Sequence, residues 1–190
     1  MRGDRFFGTI IPEWVIRAGP KHDLYSTDTD FIESYEDLTT AVGQAAPSWL
    51  RDHTILVLKP DAIVGRRVTA TFEWLEEAGF DIVLARAIHF DRHTIRALWL
   101  YQWNIATRAR KELVDQLLTS CGSLLLLVRT ESNPSFSAAE MLSTRKGPSS
   151  PERQRTGDLR HRLGGISPLL NFVHTADAPA DVVREFGILL

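Results

Sequence analysis

The sequence has a single cysteine, Cys121, in 190 residues. No disulfide can close within the chain, and a reducing, cytoplasmic setting is expected. It also lacks any apolar run near the roughly 18 residues that a membrane-spanning helix needs. A run such as Leu124–Val128 suits a buried strand instead, so no membrane partner is expected. Surplus basic charge is missing: 22 Lys and Arg face 24 Asp and Glu, for a net charge of -2 and a pI near 6.3. That balance excludes general electrostatic capture, and no nucleic-acid partner is expected. The opening Met1–Phe7, followed by Pro12 and acids, lacks the apolar stretch of a secretory signal. There is no internal repeat.

What is present is an ordinary globular composition, 44% hydrophobic and 24% charged, ample for one domain with a sizeable core plus an extension. Its charge is uneven. Residues 1–52 carry nine acids against five bases, leaving the remainder slightly basic. This first segment joins a β-like run at Phe6–Ile11 to an acidic stretch from Tyr25 to Asp37, and Ala45-Ala46-Pro47 reads as a linker. It shows no chemistry of its own. Residues 1–52 are expected to be an accessory element packed on the main domain, residues 53–190, or on a partner subunit.

From His53 the pattern sharpens. Thr54–Leu58 is a short apolar run ended by Lys59-Pro60-Asp61, as a buried strand would be. Val68, Phe72, Leu75 and Ala78 have helical spacing within residues 66–78, and Gly79 closes them. Strands are expected at 80–90, 122–130 and 169–173, and helices at 93–101, 108–118 and 136–142. A long Gly/Pro/Ser/Arg loop should run from Ser143 to about Pro168. Asp177 can cap a last helix, with Pro179 in its first turn and Val182, Val183 and Phe186 facing inward. This alternation predicts an α/β (α+β) sandwich with a ferredoxin-like core, a four-stranded antiparallel sheet with flanking helices.

Four separated stretches, in order, resemble the nucleoside diphosphate kinase family. Leu56-Val57-Leu58-Lys59-Pro60-Asp61-Ala62 is similar to its opening strand and lysine motif. Leu100-Tyr101, with the helix through Leu113-Val114, resembles its substrate-binding helical pair. Thr156-Gly157-Asp158 is similar to the end of its Thr-Ile-Arg-Gly-Asp segment, and Asn171–Asp177 to its Asn-x-x-His-Gly-Ser-Asp stretch. Glu185 stands at the family's spacing from His174.

The resemblance implies ping-pong transfer of the γ-phosphate of a nucleoside triphosphate through a phosphohistidine on His174. The acceptor would be a nucleoside diphosphate or a related small molecule. Imidazole, with an ordinary pKa of about 6.5, is a neutral nucleophile at pH 7. By resemblance, Glu185 fixes its tautomer and Lys59 meets the transferring phosphoryl as a point charge. Tyr101 would bond that group or orient Lys59; equally, it could belong to a helical core stripe with Ala97 and Leu98. Asn171 would lie near the ribose or phosphates. Mg²⁺ would arrive on the nucleotide phosphates, since no protein ligand cluster for a metal is visible. A homo-oligomer is implied. Cys121 and the five tryptophans read most simply as packing residues.

The departures are as specific as the matches. Ala139 stands where the family has a nucleotide-clamp arginine, Arg145 replaces its phosphate-binding threonine, and Thr156 replaces its second arginine, with Arg155 one place earlier. The base-stacking aromatic falls near Ala109, and Thr175-Ala176 replace Gly-Ser. The segment from Thr144 to Arg162 holds six bases against two acids. It is expected either as a solvated loop or as a rebuilt phosphate site in which Arg145, Arg155 and Thr156 bind nucleotide. Two functions compete: a phosphotransferase with altered preference, and a catalytically degenerate nucleotide-binding or protein-interaction subunit.

Overall fold

Thr54–Leu58 lies at the middle of a sheet covered on both faces, which is why every position in it is apolar or buried. The structure is a computed structural model and describes residues 11–16, 19–103, 106–131, 133 and 135–190. Strand β1 (His53–Leu58) pairs antiparallel with β3 (Ser123–Thr130) on one side and β4 (Val173–Thr175) on the other. Strand β2 (Phe80–Ile88) adds outside β3, giving the order β2-β3-β1-β4. Alternation divides the side chains between two cores. Leu56 and Leu58, with Leu126 and Val128, meet α5 (Val68–Glu77), α9 (Ala138–Lys146) and α10 (Leu159–Leu163) through Trp74, Leu75, Leu142 and Leu163. Ile55 and Val57, with Leu125 and Leu127, face α2 (Thr29–Val42), α3 (Ala46–Asp52), α6 (Arg92–Leu98) and α11 (Pro179–Leu189) through Phe31, Leu50, Ile95 and Val182. The four-stranded antiparallel sheet with flanking helices is the expected ferredoxin-like arrangement.

Local chemistry sets most boundaries. Helix α8 (Arg108–Leu118) begins at Thr107, whose hydroxyl accepts from the Arg110 amide. Helix α9 starts with a reciprocal capping box between Ser137 and Glu140 and runs on to Lys146, past the expected end at Leu142. Residues 143–168, expected as loop, also hold a 3₁₀ turn at Pro151–Arg153 and helix α10. Three further expectations are corrected. Ala45–Pro47 does not link; Pro47 sits in the first turn of α3, where its missing amide proton costs nothing. Residues 169–172 form no strand. Asn171 Nδ2 donates to Pro168 O at 2.8 Å and Phe172 adopts φ 67°, so pairing starts only at Val173. Asp177 does not cap α11, which starts after Ala178; its carboxylate accepts from Lys146 Nζ at 3.3 Å and from the Ser143 hydroxyl. The run Phe6–Ile11 lies outside the described residues but for Ile11, which is buried.

Helices α2 and α3, ahead of β1, pack on α11. A Cβ on Gly187 would stand 2.7 Å from Ser34 Cβ, so glycine is what lets α2 and α11 approach. Gly187→Ala should therefore lower stability by about 1–3 kcal/mol through overpacking, read from the urea midpoint. A buried polar knot crosses the same interface. Asp28 Oδ2 accepts from Arg184 Nε at 2.7 Å and from Tyr101 OH at 2.6 Å, while Asp28 Oδ1 caps α2 at the Phe31 amide. Arg184 Nη2 also donates to Ala97 O at 2.9 Å. Burial alone would raise the Asp28 carboxyl, but the bonds from Tyr101, Arg184 and Phe31 outweigh it and hold the group below its ordinary range. Alongside, Tyr25 OH donates to Asp181 at 2.6 Å.

Candidate functional site

The Lys59-Pro60-Asp61 sequence ends β1 and opens the short helix α4 (Pro60–Val64), with Pro60 in its first turn. It is clasped to the stretch before β4 in both directions. Lys59 N donates to Phe172 O at 2.9 Å, and Phe172 N donates to Asp61 Oδ2 at 2.9 Å. Two bonds on one residue hold Phe172 in the left-handed region, a conformation that costs about 1–2 kcal/mol outside glycine. Lys59, 7% exposed, donates from Nζ to Leu169 O at 2.9 Å and lies 3.8 Å from Asp61. Burial pushes its ammonium down to about 8; Asp61 partly opposes this and Arg160 adds to it.

His174 sits within β4, opposite Val57. Its Nε2 lies 2.7 Å from Glu185 Oε2, supplied by α11. With Nε2–H donated to the carboxylate, Nδ1 carries the lone pair. Trp99 meets the imidazole edge-on at 5.2 Å. On the next residue, Thr175 Oγ1 accepts from the buried Lys146 Nζ at 2.7 Å. Burial lowers that ammonium below the ordinary lysine range, against support from Asp177.

His174, Lys59 and Asn171 line one cavity of about 780 Å³, within the range of small-molecule sites. One wall is apolar, from Val114 and Leu117 of α8 to Ile166 and Pro168. Four basic side chains, Lys59, Arg67, Arg110 and Arg160, also line it, with one carboxylate, Asp61. Such a cavity can take an extended ligand with an apolar or aromatic part and several negative charges. Among the described residues, no three His, Cys, Asp or Glu side chains are grouped to hold a metal ion.

The structure thus brings together Lys59, Asn171, His174 and Glu185, and leaves the other candidates elsewhere. Tyr101 is turned to Asp28 and stacks on Tyr25 at 5.7 Å, nearer to the core-stripe alternative than to a phosphate contact. Arg145 leaves the cavity because Leu142 and Lys146 take the inward face of α9. Its Nη1 donates at 2.7 Å to the carbonyl of Ala78, the C-cap residue of α5. The Arg155 amide closes a turn on Asp158 Oδ2 at 2.8 Å; Arg155 and Thr156 are exposed, and neither lines the cavity. Sequence reasoning missed Arg160 and Trp99. Arg160 alternates with apolar Leu159 and Leu163 in a way that does not tell which face α10 buries, and Trp99 was expected to be core.

A ferredoxin-like sandwich whose edge strand presents a glutamate-held histidine to a basic cavity defines the class of protein. The nucleoside diphosphate kinase family model matches residues 52–190, and the chain belongs to that family. Over 163 residues it is 25% identical to the thioredoxin domain-containing protein 3 homolog of Heliocidaris crassispina, covering 85% of this chain and 18% of that one. Over 136 residues it is 26% identical to a nucleoside diphosphate kinase of Histophilus somni, covering 72% of this chain and 90% of that one. In fold it is similar to the nucleoside diphosphate kinase of Encephalitozoon cuniculi, with a TM-score of 0.61 at 17% identity over 72% of this chain and 87% of that one.

Proposed function

We propose that the chain is a nucleoside diphosphate kinase-like phosphotransferase that works through a phosphohistidine on His174. The observation that carries this reading is the 2.7 Å contact between His174 Nε2 and Glu185, at a cavity that the buried cations Lys59 and Arg160 also line. The Nδ1 lone pair attacks the γ-phosphorus, the bond to the β,γ-bridging oxygen breaks, and a nucleoside diphosphate leaves. Glu185 balances the positive charge that spreads over the imidazole as the N–P bond forms. In the second half-reaction an acceptor phosphate oxygen takes the group and Nδ1 regains its lone pair. Lys59 and Asn171 hold the phosphates while this occurs, and the apolar wall at Val114, Leu117 and Pro168 receives the base. A Mg²⁺ ion brought by the nucleotide would supply charge neutralisation for the transfer, and it would be held by the phosphates, since no metal-binding group of His, Cys, Asp or Glu forms among the described residues. A homo-oligomer is the assembly proposed from family membership.

The test is incubation of the wild-type protein with a γ-labelled nucleoside triphosphate. An acid-labile, base-stable label on the protein is expected, and its absence with a correctly folded protein overturns the reading. The competing reading, a nucleotide-binding member without chemistry, is favoured by one observation: Ala139 is wholly buried where the family has a clamp arginine. That outcome would appear as nucleotide binding without label.

Lys59 gives a second expectation. With its ammonium pushed down to about 8, a fraction is neutral just above that pH in the free protein. A bound polyanion favours the charged form. Triphosphate binding slightly above pH 8 will therefore take up protons, and affinity will fall as pH rises further. Calorimetry in buffers of different ionisation enthalpy reads the uptake, which Lys59→Met should remove.

A further inference from the structure

Two groups that touch the imidazole of His174 each stand next in sequence to a member of the buried knot at α2. Glu185, 2.7 Å from Nε2, follows Arg184, and Trp99, edge-on to the ring, follows Leu98. Arg184 Nε donates to Asp28 Oδ2 at 2.7 Å. Its Nη2 donates to Ala97 O at 2.9 Å and its Nη1 to Leu98 O at 3.5 Å, the last two carbonyls of α6. Tyr101, two residues past Trp99, donates to the same Asp28 oxygen at 2.6 Å. One helical turn before Glu185, Asp181 accepts from Tyr25 OH at 2.6 Å and from Lys21 Nζ. The stretch from Lys21 to Asp28 therefore grips α11 at positions 181 and 184, and through Arg184 also grips the end of α6. Asp28 and Asp181 are both buried, yet neither lines the cavity.

Stability alone does not call for buried charge here, since well-packed apolar side chains of similar volume hold two helices together at least as well. What the charges add is direction. The apolar face of α11, with Val182 and Val183, is held by burial, which is non-directional and tolerates small rotations and slides of a helix. Hydrogen bonds weaken steeply when misaligned, so those at 181 and 184 fix the rotation and axial position of α11. They thereby fix where the Glu185 carboxylate meets Nε2. We propose that Asp28 is a positioning residue for His174, acting through Arg184 on the two neighbours of the imidazole, Glu185 and Trp99. The segment ahead of β1 then serves the nucleophile without touching the cavity or its ligand. The effect on phosphotransfer rests on the reading above; the orientation of the ring does not.

The experiment reads the ring directly. The imidazole nitrogen-15 resonances of His174 in the full chain, assigned by their loss in His174→Ala, report its tautomer. In mildly alkaline buffer the wild type should hold the Nε2–H form. Asp28→Asn/Arg184→Met removes both charges of the knot, so no orphaned ion is left, and it should fold. It should nevertheless mix the two tautomers and slow single-turnover labelling from saturating γ-labelled ATP by about tenfold or more, with ATP affinity nearly unchanged. A lowered melting temperature with wild-type resonances and a wild-type labelling rate would mean that the knot only stabilises the fold, and overturns the proposal. Should the double variant fail to fold, Arg184→Lys keeps the charge beside Asp28 but cannot also hold the α6 carbonyls. It should mix the tautomers to a lesser degree, and unchanged resonances in it overturn the proposal. A wild type whose tautomers are already mixed overturns it as well. Tautomers that depend on the knot, in a protein that never takes up label, leave Asp28 in place and remove the phosphohistidine reading instead.

Discussion

His174→Ala will abolish the acid-labile label, and Glu185→Gln will slow its formation by on the order of 10²-fold while leaving nucleotide affinity nearly unchanged. The two differ for a physical reason. Alanine removes the proposed nucleophile, so no residual transfer through the protein is expected. Glutamine still accepts a hydrogen bond from Nε2 and keeps the ring oriented, but it carries no charge. What it withholds is stabilisation of the imidazole as that ring becomes cationic, an interaction strongest in the transition state. Single-turnover labelling separates the two effects. A Glu185→Gln protein labelled at the wild-type rate would show that Glu185 is structural, and label persisting in His174→Ala would place the nucleophile elsewhere.

Arg184→Met will destabilise the chain by about 3–5 kcal/mol, the cost of leaving one member of a buried ion pair without the other. The side chain is 1% exposed, and it meets Asp28 at 2.7 Å and Ala97 O at 2.9 Å. Methionine fills the volume but leaves the Asp28 carboxylate among Phe31, Tyr101 and Tyr25 with one donor fewer. Asp28→Asn/Arg184→Met should recover part of the loss, because it removes the orphaned charge as well. The pH dependence has a definite sign. The carboxyl of Asp28 is held low in the folded state, so its contribution is present above the ordinary aspartate range and is lost as pH falls through the lowered folded value. Arg184→Met should show a smaller acid-sensitive component in urea titrations at successive pH values, since the bonds from Tyr101 and the Phe31 amide remain. Equal stability of the wild type and Arg184→Met would show that desolvation cancels the pair.

The parts of the fold legible in the sequence were those where one local signal decides. Thr54–Leu58 ends at a Lys-Pro step, Gly79 stands past a helical stripe with φ 77°, and Thr107 precedes Arg108–Leu118; each boundary follows from its own residues. The contact between His174 and Glu185 was expected from the resemblance, which places a glutamate at that spacing after the histidine. What could not be read depended on long-range packing. Ala45–Pro47 has linker composition, yet the burial of Ala46 and Leu50 makes it helix. Residues 169–173 have strand composition, but Lys59 and Asp61, more than a hundred positions away, capture Phe172 and delay pairing. Arg160 and Arg145 look alike in a basic stretch, and only the faces of α9 and α10 decide which one turns inward.

The clasp between Lys59-Pro60-Asp61 and Phe172 has a consequence for how damage to this protein would present. Lysine and histidine come from opposite ends of the domain, yet one backbone joint sets both, since Phe172 lies two residues before His174 and its carbonyl holds the Lys59 amide. Loss of the Asp61 carboxylate removes one of the two bonds at that joint, which loosens the left-handed Phe172 and with it the alignment of β4. In an alanine scan Asp61 would score like a member of the reaction chemistry without touching the reacting atoms. A clinical or evolutionary reading of such a variant as "catalytic" would have the right severity and the wrong mechanism.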